Sequence, residues 1–205
     1  MAIKSKKPAM KQTVGAQYLC FANAEIPGDY DGTYESDVEK TEVVKSVKVT
    51  ENSESSDVYA SGKIYDSDTP MTSIDVEVSV IAFPDDTISR MRGDTVEEGG
   101  LILSGGKSER PFFAYGKVVE LKNGKYRFEW YPKCKLTENS DDIATSEEKS
   151  SEQTDTIKIR AYPFDAAGNI ACRVTESTAP AGLTEEKFFM KPILTDAELT
   201  AAVGA

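Results

Sequence analysis

PFFAYGKVVELKNGKYRFEWYPKCKL, residues 111–136, is the stretch of sequence that decides the fold. Two runs rich in aromatic and β-branched residues flank Asn123-Gly124, a pair typical of a type I′ turn because both central residues of that turn take positive φ. A two-residue turn at this position predicts a hairpin with a cross-strand ion pair on one face. The predicted opposite pairs are Leu121 and Tyr126, Glu120 and Arg127, and Val119 and Phe128.

The predicted register places a set of large apolar side chains on one face of this hairpin. They are Phe113, Tyr115, Val119, Leu121, Tyr126, Phe128 and Trp130. A lone hairpin is marginally stable in water, so this face must pack against a second layer. We therefore predict that the hairpin is the centre of a β-rich domain, with Asn123 and Gly124 as turn residues and Phe128 and Trp130 as core residues.

Working outward towards the N-terminus, further strands are predicted from alternating hydrophobicity. Residues 43–50 and 58–65 alternate and are separated by a polar turn, which predicts a hairpin. Residues 73–82 alternate more clearly still, with one apolar and one polar face. The predicted inner residues are Ile74, Val76, Val78, Val80 and Ala82, and the outer ones are Asp75, Glu77 and Ser79.

The segment after this strand changes from a strand period to a helical one. Pro84 and two aspartates suit a helix start, Ile88 and Met91 lie three apart, and Gly93 can end the helix. The apolar residues 101–104 lie between two glycine pairs and predict a short strand.

Towards the C-terminus, residues 155–174 predict a second hairpin that turns at residues 165–169. Its inward residues are expected to be Ile170, Cys172 and Val174. Thr195 and Glu198 form a capping-box pattern, which predicts a short last helix.

These elements predict one mainly β domain of two packed antiparallel sheets, a β-sandwich or barrel with one flanking short helix. A chain of 205 residues suits one such domain. The predicted boundaries are residues 1–175 for the β domain, including an N-terminal arm of residues 1–42. Residues 176–205 form a C-terminal extension whose helix docks on the body or on a neighbouring subunit.

The charge distribution excludes some classes of function. The formal net charge is -11, and residues 25–42 and 137–155 each hold seven acids and one lysine. The remaining body is close to neutral, which disfavours nucleic-acid binding through a basic groove. Such loops are either solvated surface or contacts to other chains. No apolar run approaches the roughly 18 residues of a membrane span, and the basic N-terminus lacks the apolar segment of a secretory signal.

The residues needed for catalysis or metal binding are sparse. Histidine is absent and the three cysteines lack CxxC spacing, which disfavours histidine-based catalysis, a zinc site and a disulfide framework. The acidic stretch that begins at Asp29 does not match a calcium loop, because Tyr34 falls where glycine is required. We predict a protein that is not an enzyme and uses neither metal nor cofactor. A glycosidase using two carboxylates remains a minor alternative, although its acids would need rigid strands and here they concentrate in loops.

Taken in order, several segments resemble the major tail proteins of long-tailed phages that infect Gram-positive bacteria. The segments are VGAQYLCFANA, GTYESDVEKTEVVKSVKVT, VYASGKIYDSD, SIDVEVSVIAFPDDTISRMRG, RPFFAYGKVVELKNGKYRFEWYPKCKL and SSEQTDTIKIRAYP. The resemblance spans roughly residues 14–175 and lies in the order and spacing of the segments. It implies two packed β-sheets with a flanking helix, six copies in a ring, and rings stacked into a hollow tail tube for DNA delivery.

The resemblance also implies where the chain acts and what it contacts. The expected partners are other copies of itself, the tape-measure, tail terminator and baseplate proteins, and double-stranded DNA in transit without specific binding. The expected location is the virion tail, assembled in the host bacterial cytoplasm, without a membrane. An immunoglobulin-like binding module on a cell or virion surface is the alternative that the short strands also fit.

Candidate residues follow for these contacts. The candidate lumen face is Asp75, Glu77 and Ser79, where a polar acidic face would let DNA slide. The candidate subunit or ring contacts are Tyr30, Tyr34, Glu35, Asp37, Asp141, Asp142, Glu147 and Glu148.

Overall fold

A computed structural model of the chain describes residues 7–26, 28–106, 109–141, 143 and 154–204. The strands are β1 Lys11–Phe21, β2 Glu39–Thr41, β3 Val44–Ser53, β4 Ser56–Ala60, β5 Lys63–Asp68, β6 Met71–Val80, β7 Thr95–Val96, β8 Ile102–Leu103, β9 Phe113–Leu121, β10 Tyr126–Ser140, β11 Asp155–Ala161 and β12 Cys172–Thr175. The helices are α1 Asp85–Arg92, α2 Glu185–Phe189 and α3 Asp196–Gly204. The predicted mainly β fold class is confirmed.

One large antiparallel sheet forms the body. Its hydrogen-bonded order is β2-β1-β9-β10-β11-β6-β3, and β12 also pairs with β10. The sheet curls until β1 approaches β3 without hydrogen-bonded pairing, so within the described residues it does not close into a barrel. Two small hairpins, β4-β5 and β7-β8, form separate two-stranded sheets.

The central strands β9 and β10 are buried on both faces, and this creates two cores. The first core fills the inside of the curled sheet, where the side chains of β6 and β11 meet Phe113, Tyr115 and Tyr131. The second core lies on the other face, where Phe128 and Trp130 pack against Phe188 and Phe189 of α2. A sheet covered on both faces reads as an almost continuous apolar run, as β9 does.

The predicted two-residue type I′ turn between β9 and β10 is wrong, because the loop is one residue longer. Gly124 has φ 73°, whereas Asn123 does not take positive φ, and the Gly124 amide donates to the carbonyl of Leu121 at 2.9 Å. Leu121 also bonds to Lys125, so the loop has three residues and follows the pattern of a type I turn with a glycine bulge. The observed pairs are Tyr126 with Glu120, Arg127 with Val119, and Phe128 with Val118.

This one-residue shift also corrects the predicted faces of the hairpin. Because side chains alternate along a strand, Phe113 and Tyr115 lie in the first core while Phe128 and Trp130 lie in the second. The predicted ion pair between Glu120 and Arg127 is therefore wrong. The core roles of Phe128 and Trp130 are confirmed, because they are 2% and 0% exposed.

The predicted hairpin of residues 43–50 with 58–65 is also wrong. Strand β3 pairs with β6, and residues 58–65 themselves bend back as the hairpin β4-β5. Ser61 and Gly62 supply the positive φ angles of its turn, at 52° and 74°. This Ser-Gly pair is a weaker turn signal than Asn-Gly, and the alternation around it concealed the break.

Strand β6 and the following helix agree with the sequence pattern. The four inner residues Ile74, Val76, Val78 and Val80 are buried, but the strand ends at Val80 and Ala82 is exposed. Helix α1 ends at Gly93 as predicted, with a left-handed φ of 72° at this residue, and Ile88 and Met91 are buried. The short strand predicted in residues 101–104 is confirmed as β8.

The second predicted hairpin is wrong in its pairing. Strands β11 and β12 both pair with β10, at successive stretches of that 15-residue strand, instead of with each other. Residues 162–171 connect β11 to β12 and contain the turn at Gly168. Ile170 is buried in the first core, whereas Cys172 and Val174 pack against the second.

The C-terminal segment packs on the body through an element that sequence patterning missed. Helix α2 has only five residues, capped by Thr184, and it covers the second core. The predicted capping box is confirmed in α3, since the Glu198 amide donates to Thr195 Oγ1 at 3.2 Å and the Thr195 amide donates to Glu198 Oε2 at 3.0 Å. No helix within the described ranges is long and apolar enough to cross a membrane.

Candidate assembly surfaces

The outer face of strands β10, β11, β6 and β3 is a polar surface built by strand alternation. Inward residues of these strands fill the first core, so their neighbours in sequence must point outward. The cross-strand register aligns these outward residues in three rows. The rows are Ser46, Ser79, Thr156 and Ser140; Lys48, Glu77, Lys158 and Glu138; and Thr50, Asp75, Arg160 and Lys135.

The charges in these rows largely pair with one another. In the middle row the charge alternates from strand to strand, and Lys158 Nζ lies 2.7 Å from Glu138 Oε2. In the third row Arg160 Nε donates to Asp75 Oδ1 at 2.7 Å, and this hydrogen bond holds the pKa of Asp75 below its usual range. The amide of Asn52 adds a second donor to Asp75, at 2.8 Å.

The residues predicted to face a lumen thus share one surface, but that surface is not acidic. Asp75 lies beside Arg160, Glu77 lies between two lysines in register, and Ser79 lies 3.3 Å from the hydroxyl of Thr156. The outer face is a mixed-charge, hydroxyl-rich surface close to neutrality. The sequence showed the acids of β6, but the compensating cations belong to β3 and β11.

The large sheet ends in unpaired strand edges. Strand β3 is ten residues long and pairs on one side only, with β6, in the part of the chain that the structure describes. At the other end of the sheet, β2 covers only three residues of β1. Unpaired edges of this length present free backbone donors and acceptors, which favour pairing with another chain.

The acidic segment formed by residues 22–26 and 28–38 is held on the body by its own side chains. The hydroxyls of Tyr30 and Tyr34 lie 2.7 Å apart, and Tyr34 donates to the carbonyl of Pro132 at 3.0 Å. Burial raises the pKa of both phenols. Glu35 forms an ion pair with Arg90, whose guanidinium lies 3.9 Å from the ring centre of Phe21.

These contacts use groups that were predicted to contact other subunits. Tyr30, Tyr34 and Glu35 stabilise the monomer, whereas Asp37 and Asp141 are exposed. Asp142, Glu147 and Glu148 lie outside the described residues. For all of them a role in subunit contacts stays a prediction.

A buried charge cluster lies at the open end of the curled sheet, and sequence reasoning missed it. Lys117 and Glu129 are 6% and 4% exposed, and Lys117 Nζ lies 3.0 Å from Glu129 Oε2. Arg127 Nε lies 2.7 Å from the other oxygen of Glu129, and Tyr131 donates to Glu129 at 3.1 Å. A three-residue loop places Lys117 opposite Glu129, so the correct turn type was the signal that could have revealed this cluster.

The electrostatics of this cluster reflect its burial. Burial lowers the pKa of Lys117, although Glu129 opposes that shift. Burial also opposes ionisation of Glu129, yet Lys117, Arg127 and the Tyr131 hydroxyl together hold its pKa below its usual range. Lys117 and Glu129 thus each favour the charged form of the other against the cost of burial. They form the floor of a groove of about 750 Å³ that opens between β1, β3 and the loop before β12.

Two hairpins expose apolar side chains to solvent. In β4-β5 every residue is exposed, including Val58, Tyr59, Ile64 and Tyr65. The shorter hairpin β7-β8 exposes Val96, Ile102 and Leu103. Clustered exposed apolar residues of this kind mark interaction sites in soluble proteins.

The described residues offer little for chemistry. Burial raises the pKa of Cys20 to about 12 and that of Cys172 to about 11, and Cys134 is shifted in the same direction. Thiols with such pKa values are poor nucleophiles at neutral pH. Within the described ranges, Asp, Glu and Cys side chains form no group of three or more that could hold a metal ion.

A neutral polar sheet face, unpaired strand edges and projecting apolar hairpins define a structural β subunit suited to association with other protein chains. Comparison with protein families then specifies the class. The family model described as phage tail tube protein matches residues 9–194. The chain therefore belongs to the phage tail tube protein family and is a structural component of the phage tail in the virion.

Two solved structures of the anti-feeding prophage show partial similarity to this chain. The tube terminating cap of the anti-feeding prophage has 7% sequence identity and a TM-score of 0.45, and the match covers 85% of this chain and 95% of that one. The anti-feeding prophage baseplate structure has 7% identity and a TM-score of 0.40, with 84% and 97% covered. No curated protein matches the chain.

Proposed function

We propose that this chain is the repeating subunit of a phage tail tube, in which six copies close into a ring and rings stack into a hollow conduit for DNA. The family match favours a tail protein over an immunoglobulin-like binding module. The observation that carries the finer proposal is the four-stranded polar face that ends at the unpaired edge of β3. The resemblance to tail proteins of long-tailed phages of Gram-positive bacteria extends the proposal to that host group.

Ring closure gives the unpaired backbone groups at the edge of β3 hydrogen-bond partners. A ten-residue edge leaves backbone groups unpaired in a monomer, and a neighbouring copy related by rotation can pair with them. Repetition of this contact around an axis joins the polar faces of successive copies into one continuous inner surface.

The electrostatics of the outer face suit DNA in transit. Bare cations would bind phosphates, but Arg160 and Lys158 are paired with Asp75 and Glu138. Bare acids would repel the duplex strongly, whereas here the rows are close to neutral and one row carries only hydroxyls. Asp75, Glu77 and Ser79 would thus line the lumen as part of a surface that neither holds nor strongly repels DNA.

The same proposal names the partners and place of assembly. The tube ends would contact the tape-measure, tail terminator and baseplate proteins, and assembly would occur in the host bacterial cytoplasm. The role is architectural and needs no catalysis.

Negative-stain microscopy of the purified protein at rising concentration tests self-assembly. We expect rings or tubes about a hundred ångströms wide, a few domain diameters. A protein that stays monomeric at every concentration and salt level would refute the proposal.

Cysteine labelling tests which face lines the lumen. Lys48→Cys lies on the middle row, and Ala201→Cys lies on the exposed side of α3. A bulky polymer maleimide should label both variants as subunits but only Ala201→Cys in tubes, after subtraction of the wild-type signal. Equal labelling of Lys48→Cys before and after assembly would place this face outside the lumen.

A further inference from the structure

We propose that the groove above the Lys117–Glu129 pair is the seat for the β4-β5 hairpin of a second copy of this chain. The inference rests on the proposed tube and deepens it by naming one contact between copies. We call the groove the basic groove. Its walls include Lys11, Val47, Ile74, Arg127, Ile170 and Arg173.

The hairpin has the properties of an arm that needs a partner. The exposed fractions of Val58, Tyr59, Ile64 and Tyr65 are 54%, 68%, 56% and 80%. In the described part of the chain, the strands of β4-β5 pair only with each other. The left-handed turn residues Ser61 and Gly62 set the register of the two strands, which limits the conformational freedom of the arm before it docks. An arm that is ordered in advance loses less conformational entropy when it docks.

The basic groove has the matching composition. Valine, isoleucine and methionine side chains line part of it, and Tyr131 lies beside the charged floor. The groove is open at the gap between β1 and β3, where the described residues form no strand pair. At about 750 Å³ it is large enough for several side chains.

Charge complementarity selects the occupant. The lining contains four cations, Lys11, Lys117, Arg127 and Arg173, against the carboxylates of Glu51 and Glu129. Residues 54–68 of the hairpin carry four acids, Glu54, Asp57, Asp66 and Asp68, against the single Lys63. Opposite net charges steer the two surfaces together and fix their register, while the apolar side chains supply contact area.

Reach distinguishes this arm from the other exposed hairpin. The five residues of β4 span roughly 16 Å, whereas the two residues of β7 span about 7 Å. Both hairpins are apolar and acidic, but the longer one offers more than twice the strand length for a contact with a neighbouring molecule.

Intermolecular disulfide trapping in assembled tubes tests the contact. Tyr59→Cys and Ala171→Cys are made as separate variants, so that a link between them must join two copies. Both positions are exposed, and Ala171 lines the groove. Ala201→Cys is the matched control, because Ala201 is also an exposed alanine but does not line the groove. Ile102→Cys represents the rival hairpin.

We expect mixed tubes to link Tyr59→Cys to Ala171→Cys in preference to Ala201→Cys. Adding Arg173→Glu to the Ala171→Cys chain should lower the yield about tenfold, since like charges then meet in the groove. If tubes form normally but show no such preference, the inference is overturned and the proposed function stands. A disulfide between Ala171→Cys and Ile102→Cys would have the same consequence. A wild-type chain that forms no tubes would refute the proposed function itself, and the inference with it.

Discussion

Gly116 is the position where a single methyl group should disturb the second core most directly. A Cβ added there would lie 2.7 Å from Cε1 of Phe189 and 2.9 Å from two ring atoms of Trp130. Trp130 is fully buried and its indole N–H donates to the carbonyl of Phe188 at 3.2 Å, so the indole cannot move away freely. The Phe189 ring must therefore shift, and with it the short helix α2.

The cost can be estimated from two opposing effects. Overpacking of a filled core costs about 1–3 kcal/mol. Replacement of glycine by alanine also removes freedom from the unfolded chain, which stabilises the fold by about 0.4–1 kcal/mol where the backbone angles allow it. We expect Gly116→Ala to lower the free energy of unfolding by about 1–2 kcal/mol in total.

Urea unfolding followed by tryptophan fluorescence measures this change, because Trp130 is the single tryptophan of the chain. Gly99→Ala is the control, since a Cβ there meets nothing within 4 Å and its φ is not left-handed. Phe189→Leu, which shortens the obstructing ring, should recover part of the loss when added to Gly116→Ala. Equal unfolding midpoints for Gly116→Ala and Gly99→Ala would refute the packing argument.

Three further predictions concern the turn, the outer face and the last helix. Gly124→Val should lower stability by about 1–3 kcal/mol because φ at this position is 73°, and coincident urea midpoints for variant and wild type would contradict this. Asp75 has a lowered pKa, so its ionised form stabilises the fold above the ordinary aspartate pKa of about 3.9, and this contribution is lost as the pH falls below that value. Asp75→Asn should therefore reduce the loss of stability between pH 5 and pH 3 in thermal melts, and an unchanged pH profile would exclude that role. Glu198→Ala removes one side of the capping box and should cost about 1 kcal/mol, visible as faster hydrogen exchange at the Leu194 and Thr195 amides; unchanged exchange there would argue against the cap.

Sequence patterning predicted the elements whose signal is local. The alternation of residues 74–80 in β6, the helix stop at Gly93 and the capping box of Thr195 and Glu198 depend on residues close in sequence, and all three were correct. Residues 155–161 were likewise correctly predicted as a strand.

Pairing between distant strands was harder to predict. Strands β11 and β12 follow one another in sequence, yet both lie along β10, because that strand is long enough to serve two partners. The turn of β9-β10 shows a related limit. Asn-Gly suits a two-residue turn, but it also occurs in a three-residue loop in which glycine alone takes positive φ.

The surfaces were predicted less well than the elements, because their character depends on residues from several strands. Asp75 and Glu77 appear acidic along β6, and only the register with β3 and β11 shows the cations beside them. Lys117 and Glu129 look like solvent-facing residues in an alternating pattern. Their burial follows from the curl of the sheet, which strand periodicity does not specify.

The two cores that share β9 and β10 also impose an order on biosynthesis. Ribosomes deliver the chain from its N-terminus, so β1, β9 and β10 can pair before Phe188 and Phe189 have been synthesised. Until then, Phe128 and Trp130 form an exposed aromatic surface that a chaperone or another nascent copy can bind. A chain cut after Thr175 would keep that surface exposed permanently, and we expect it to aggregate before it could enter a tail.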